Sequence, residues 1–178
     1  MYKLLILDVD GILTTGLKTY DINGNVISKT FADRDFTAIK QFICIGIDVI
    51  FLSGDKQVNQ KVAEMRNIPF FYSRRKSGQL SKSECAKEIL QKYKVTSDNT
   101  IFVGDDLFDV EMRGFCKLMV CPRDAHYLMK EKSNIILKTS GGKGCVQELF
   151  EYMVLNKMIS EPNIESVISR DSSESVKY

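Results

Sequence analysis

Near the start of the chain stands Lys3-Leu4-Leu5-Ile6-Leu7-Asp8-Val9-Asp10-Gly11. An unbroken Leu/Ile run stopped at once by acids is what a strand covered on both faces of a sheet requires. Apolar runs of the same kind follow at 48–52, 69–72, 100–103, 118–121 and 135–137, so six strands are expected, the first at 3–7. Between them, 35–45, 57–66, 82–93, 107–113 and 146–157 carry helical period. Strand and helix in alternation predict an α/β, Rossmann-like fold: a mostly parallel sheet with helices on both faces and right-handed crossovers. Only 17–31 breaks the alternation. There Asn23-Gly24 separates two β-prone arms, which predicts a protruding β-hairpin. A two-stranded hairpin is marginal alone in water, so it is expected to pack on the body or on another subunit.

At 178 residues the chain is one domain by a prior of ~150 residues per domain. The domain is placed at 1–159. Residues 160–178 are rich in Ser and charge with scattered Ile and Val, and read as a flexible tail. Lys plus Arg number 25 and Asp plus Glu 23, a net charge of +2. That balance argues against nucleic acid and against an anionic membrane as partners. Five scattered cysteines form neither a zinc spacing nor a disulfide framework, and suit a reducing cytosol. The longest apolar stretch, 42–52, contains Gly46 and Asp48 and falls short of the ~20 residues that span a bilayer. The apolar run at 4–7 is too short for a signal peptide. A cytoplasmic protein is therefore expected.

The chemistry is expected where acids follow strands. Asp8 and Asp10, two apart, point to the same side. They stand at a carboxyl strand end, where open α/β sheets place ligands. Carboxylates this close need a cation or a shared proton. Gly11 lets the backbone turn and approach a ligand. A second acidic group, Gly104-Asp105-Asp106-Leu107-Phe108-Asp109, follows the run at 100–103. Oxygen donors from separate strands suit Mg²⁺, while Asp106 and Asp109 equally read as caps of the following helix. Ser53-Gly54 offers a hydroxyl and an unhindered N–H to a phosphate, and Lys82 an ammonium. Taken singly, Ser-Gly is a turn and a lysine a solvated charge. His126, the sole histidine, reads as a packing or hydrogen-bonding residue, and Arg74-Arg75-Lys76 as a solvated run.

In this order, Asp8-Val9-Asp10-Gly11, Ser53, Lys82 and Gly104-Asp105-Asp106 resemble the four motifs of the haloacid dehalogenase superfamily of phosphatases. The narrower likeness, over roughly 3–157, is to the capless branch of 3-deoxy-D-manno-octulosonate 8-phosphate phosphatases. It is carried by the hairpin, by Phe31 to Asp35, by Gly78-Gln79-Leu80-Ser81-Lys82, by Asp124-Ala125-His126 and by Gly141-Gly142-Lys143-Gly144. The resemblance implies a fold with no cap domain and a homotetramer built through the hairpin. It implies Asp8 as nucleophile, Asp10 as acid and base, and Ser53 and Lys82 on the phosphoryl group. Mg²⁺ would be held by Asp8, Asp105 and the carbonyl of Asp10, with Asp109 or Asp106 acting through water or Lys82. Gly11, Gly54, Asp55 and Gln147 are the expected substrate-binding positions, the substrate being a phosphorylated 2-keto-3-deoxy sugar acid.

Against that pattern, Asp55 and Gln147 stand where relatives carry Arg, and neither can pair bidentately with a carboxylate. An acid at 55 is more like the nine-carbon branch acting on sialic-acid-type 9-phosphates, with Arg66 as a candidate compensating charge. Two rival readings are a regulatory or scaffolding relative with little turnover, and a phosphoacceptor receiver domain. Asp10 and the hairpin argue against the receiver.

Overall fold

The structure, a computed structural model, describes residues 1–74 and 81–174. Its sheet has six parallel strands: β1 (Leu4–Leu7), β4 (Asp48–Ser53), β5 (Phe70–Tyr72), β6 (Thr100–Val103), β7 (Leu118–Cys121) and β8 (Ile135–Ile136). β2 (Thr19–Tyr20) and β3 (Val26–Ser28) form the hairpin apart from it. The spatial order is β5-β4-β1-β6-β7-β8. β1 is therefore central, with Leu4–Leu7 paired to 48–51 on one side and to 100–103 on the other. All four of its side chains are buried, as its composition requires.

Alternate side chains of β1 feed two cores. Leu5 and Leu7 pack with α1 (Asp33–Cys44), α2 (Gln57–Met65) and α5 (Cys145–Leu155), through Phe36, Ile39, Phe42, Ala63 and Leu149. Leu4 and Ile6 face α3 (Lys82–Tyr93) and α4 (Tyr127–Lys132), through Ala86, Ile89 and Met129. Each fully buried Leu or Ile contributes roughly 1.5–3 kcal/mol, so this strand alone anchors both layers. Among the described residues no second domain covers the carboxyl end of the sheet. No helix there is long and apolar enough to cross a membrane.

Three readings are revised. The helix expected at 107–113 is a 3₁₀ helix, Leu107–Met112, tightened by a capping box between Asp106 and Asp109. The six-residue α4 escaped the periodicity reading. Within the expected flexible tail, Ile164–Asp171 forms helix α6, which packs on α1. It buries none of its own residues. Its dock is ionic instead: Asp171 pairs with the buried Lys40, and Glu174 with Lys40 (3.4 Å) and Arg66 (2.8 Å).

Candidate active site

The carboxyl ends of β1, β4 and β6 open onto one cleft of about 320 Å³. Asp8, Asp10, Gly11, Ser53, Gly54, Asp55, Lys82 and Asp105 all line it. Of the expected residues, only Asp109 and Gln147 are not on its wall.

Asp8, Asp105 and the fully buried Asp109 each bring a carboxylate oxygen within 4.8 Å of the others. Lys82, at the start of α3 and nearly buried, pairs with Asp8 at 2.9 Å and with Asp109. Burial pulls the Lys82 ammonium down, but the two carboxylates outweigh it and hold the group above its usual range. One ammonium cannot match three carboxylates. Burial pushes Asp8 up to about 7, with Lys82 pulling against it and Asp109 adding to it. Burial and the charges of Asp8 and Asp109 push Asp105 up to about 8. A divalent cation would correct this imbalance.

The donors fit such an ion. All are oxygen, the set preferred by Mg²⁺. Asp105 Oδ1 is buried and has no hydrogen-bond partner among the described residues, so a ligating atom is in place. Asp109 is committed elsewhere: one oxygen holds Lys82, and the other accepts the N–H groups of Asp105 (2.9 Å) and Asp106 (3.0 Å). It shapes the turn that aims Asp105. Asp106 accepts from Leu107 N–H at 2.7 Å and caps the 3₁₀ helix.

The floor of the cleft depends on glycine. Gly11 has φ +86°, and a Cβ there would lie 2.0 Å from Asp105 Oδ2. A Cβ on Gly141 would lie 1.8 Å from the Gly11 carbonyl oxygen, and one on Gly142 2.4 Å from the backbone of Thr14. The Gly141-Gly142-Lys143-Gly144 turn is thus a buttress under the loop after β1. His126 caps α4, accepting from Leu128 N–H at 3.2 Å, in line with its bland reading.

Asp10 turns the other way. Its carboxylate meets Lys29 (2.8 Å), Asn59 Nδ2 (3.0 Å), Thr14 Oγ1 (3.4 Å) and Lys18 (3.5 Å). Asp55 pairs with Lys18 (2.8 Å) and Lys29 (2.9 Å). Burial works against its charge, yet the two lysines hold Asp55 below the usual carboxylate range. Its compensating cations are therefore Lys18 and Lys29. Arg66, the candidate from sequence, instead pairs with Glu174 and Asp33 and lies 4.0 Å over the Phe36 ring. Ser53 Oγ accepts from Asp55 N–H (3.1 Å) and Asn59 Nδ2 (3.0 Å).

Gln147 does not join this cleft. It lies in the first turn of α5, its amide donates to Glu151 at 2.8 Å, and it lines a groove between α1, α5 and α6. Lys18, Lys29 and Asn59 were missed from sequence, and Arg74 was read there as part of a solvated run. Arg74 lines the cleft and donates to the Gly54 carbonyl at 3.3 Å. Arg75-Lys76 and Gly78-Gln79-Leu80 lie outside the described residues.

Residues 55–149 match the family model of haloacid dehalogenase-like hydrolases. The 3-deoxy-D-manno-octulosonate 8-phosphate phosphatase KdsC of Haemophilus influenzae is 32% identical over 154 residues, covering 85% of this chain and 82% of the relative. The cobalt-bound structure of the Haemophilus influenzae phosphatase superposes with a TM-score of 0.79 at 31% identity, covering 88% of this chain and 90% of that one. The Moraxella catarrhalis phosphatase, in complex with magnesium, phosphate and KDO, shares the fold at 23% identity and a TM-score of 0.77, over 86% of each chain.

Proposed function

Because the chain belongs to the haloacid dehalogenase-like hydrolase family, as a phosphatase akin to those of 3-deoxy-D-manno-octulosonate 8-phosphate, we propose that it cleaves the phosphomonoester of a 2-keto-3-deoxy sugar acid with the help of Mg²⁺. The supporting observation is the meeting of Asp8, Asp10, Lys82 and Asp105 at the carboxyl ends of neighbouring strands. The relatives' printed substrates and metals lend the reading its direction.

Asp8, Asp105 and the carbonyl of Asp10 would hold the metal. Bound there, Mg²⁺ supplies positive charge that lets a carboxylate approach a phosphate dianion. Asp8, its Oδ1 tied to Lys82, attacks phosphorus with its other carboxylate oxygen. The bond from phosphorus to the ester oxygen breaks, and that oxygen keeps the electron pair and takes a proton from Asp10. Asp10, now a carboxylate, removes a proton from water. The water oxygen attacks phosphorus, the bond to Asp8 breaks, and inorganic phosphate leaves with Asp8 restored. Ser53 and Gly54, both on the cleft wall, would hold phosphoryl oxygens through a hydroxyl and an N–H.

For the substrate carboxylate, Lys18 and Arg74 line the mouth in place of the absent arginine. Asp55 at that mouth favours a second reading, a nine-carbon sialic-acid-type 9-phosphate, whose additional hydroxyls an acid can accept from. Assembly is proposed as a homotetramer in the cytoplasm, supported by the exposed Leu17, Tyr20, Ile22 and Ile27 of the hairpin segment. The deciding experiment compares kcat/KM for eight- and nine-carbon keto-acid phosphates with a hexose phosphate. At least a tenfold preference for one keto acid is expected. Equal, slow rates on all three remove the sugar-acid assignment, and no rate above that of Asp8→Asn removes hydrolysis itself.

A further inference from the structure

Lys29 immediately follows β3, in the arm of a hairpin whose tip projects into solvent, yet its side chain is fully buried. Its ammonium lies 2.8 Å from Asp10 Oδ1, 2.9 Å from Asp55 Oδ2 and 2.8 Å from Asn59 Oδ1. The buried Asn59, on α2, in turn donates to Asp10 Oδ2 and to Ser53 Oγ, both at 3.0 Å. A buried ammonium is costly unless its hydrogen bonds are met, and here two carboxylates and an amide oxygen meet them. Two groups from outside the β1 loop thus grip the Asp10 carboxylate, and neither is needed to hold the cluster of Asp8, Asp105 and Lys82.

We propose that Lys29 and Asn59 are positioning residues for Asp10, so that the hairpin completes the acid/base half of the site. The proposal rests on the phosphatase reading above. Asp10 gives a proton to the leaving oxygen and later takes one from water; both transfers need its carboxyl within hydrogen-bond reach of the reacting oxygen. Lys29, just after β3, and Asn59, on α2, hold that carboxyl at its two oxygens. Asp55 is the second counter-charge that keeps Lys29 in place, and Lys18 covers the pair from the mouth.

The test uses the full-length protein with Mg²⁺ and compares two leaving groups. p-Nitrophenolate departs without a proton, whereas an alkoxide needs one. For Lys29→Met, the first turnover of p-nitrophenyl phosphate is expected to stay within about threefold of the parent. The following steady state falls about 10–100-fold, since water still needs Asp10 and misplacement by about an ångström costs that much. Acid quenching after ³²P-labelled substrate then traps close to one phosphoryl group per Asp8. With an alkyl phosphate, kcat falls about 10–100-fold, KM stays within about threefold, and no phosphoenzyme accumulates. Should Lys29→Met fail to fold, Lys29→Met with Asp55→Asn, which leaves one carboxylate fewer without a partner, carries the same comparison. An equal loss in the first turnover with both leaving groups, a change in KM alone, or no change overturns the proposal. A parent protein that forms no phosphoenzyme overturns the phosphatase reading instead.

Discussion

Replacing Gly11 by alanine offers the sharpest test of how the cleft is built. The residue stands at φ +86°, which costs an L side chain about 1–2 kcal/mol. Its new methyl would also lie 2.0 Å from Asp105 Oδ2 and 2.3 Å from Cγ, against 3.4 Å for ordinary contact. The carboxylate must therefore withdraw by about 1.4 Å, and such overpacking costs about 1–3 kcal/mol. Together the loss is about 2–5 kcal/mol. Gly24 supplies the control: its φ is +80° but nothing lies within 4 Å, so Gly24→Ala carries only the ~1–2 kcal/mol of strain. Urea unfolding of both variants measures the difference. Phosphatase turnover of Gly11→Ala should fall about 100-fold, because Asp105 leaves its position. In an Asp105→Ala background the surplus cost of Gly11→Ala should vanish, as a double-mutant cycle would show. An equal cost at both glycines, or a surplus that survives without Asp105, would refute the close approach.

The other predictions concern charge. Asp8→Asn should abolish ³²P trapping and turnover in the presence of Mg²⁺, while a folded protein is confirmed by circular dichroism; residual trapping would move the nucleophile elsewhere. Chelation should stop turnover and Mg²⁺ restore it. At 100 times its dissociation constant the ion should add about 2.7 kcal/mol of stability, raising the melting temperature by roughly 5–10 °C; an unchanged melting point speaks against a metal site at Asp8 and Asp105. Asp35 accepts the N–H groups of Val146 and Gln147, and burial pushes its carboxyl up to about 6 from the usual 3.8. The folded state then binds the proton more tightly than the unfolded one, so this contribution is full below about pH 4 and is lost as pH rises through about 6. Relative to Asp35→Asn, the parent should lose up to about 3 kcal/mol between pH 4 and 7, and a difference flat with pH in urea titrations contradicts it.

Much of this molecule is written locally. Six apolar runs named the six strands to within a residue, because a strand buried on both faces has no polar alternation to blur it. The acids after β1 and β6 were legible for a related reason: a charged residue directly behind a buried strand can only sit at its end. What stayed hidden was convergence. Nothing in the spacing of Asp10, Lys29 and Asn59 says that they touch, since the hairpin and α2 bring them together from 19 and 49 residues away. α6 was missed although Ile164, Val167 and Ile168 fall at helical spacing behind the capping Asn163. Its apolar residues are few, and its dock on Lys40 and Arg66 is made of charges more than 100 residues distant. Gln147 shows the converse error: a motif position transferred along the chain is not yet a position in the cleft.

The central place of β1 has a consequence for biosynthesis. The ribosome makes this strand before its two neighbours, which end at Ser53 and Val103. The nascent chain therefore carries this strand unpaired on one edge until Val103 has emerged. A polypeptide that stalls or ends before Asp105 would hold Asp8 without it. It would be a sticky, inert fragment rather than a weak enzyme, and a natural client for chaperones that bind exposed Leu-Leu-Ile-Leu.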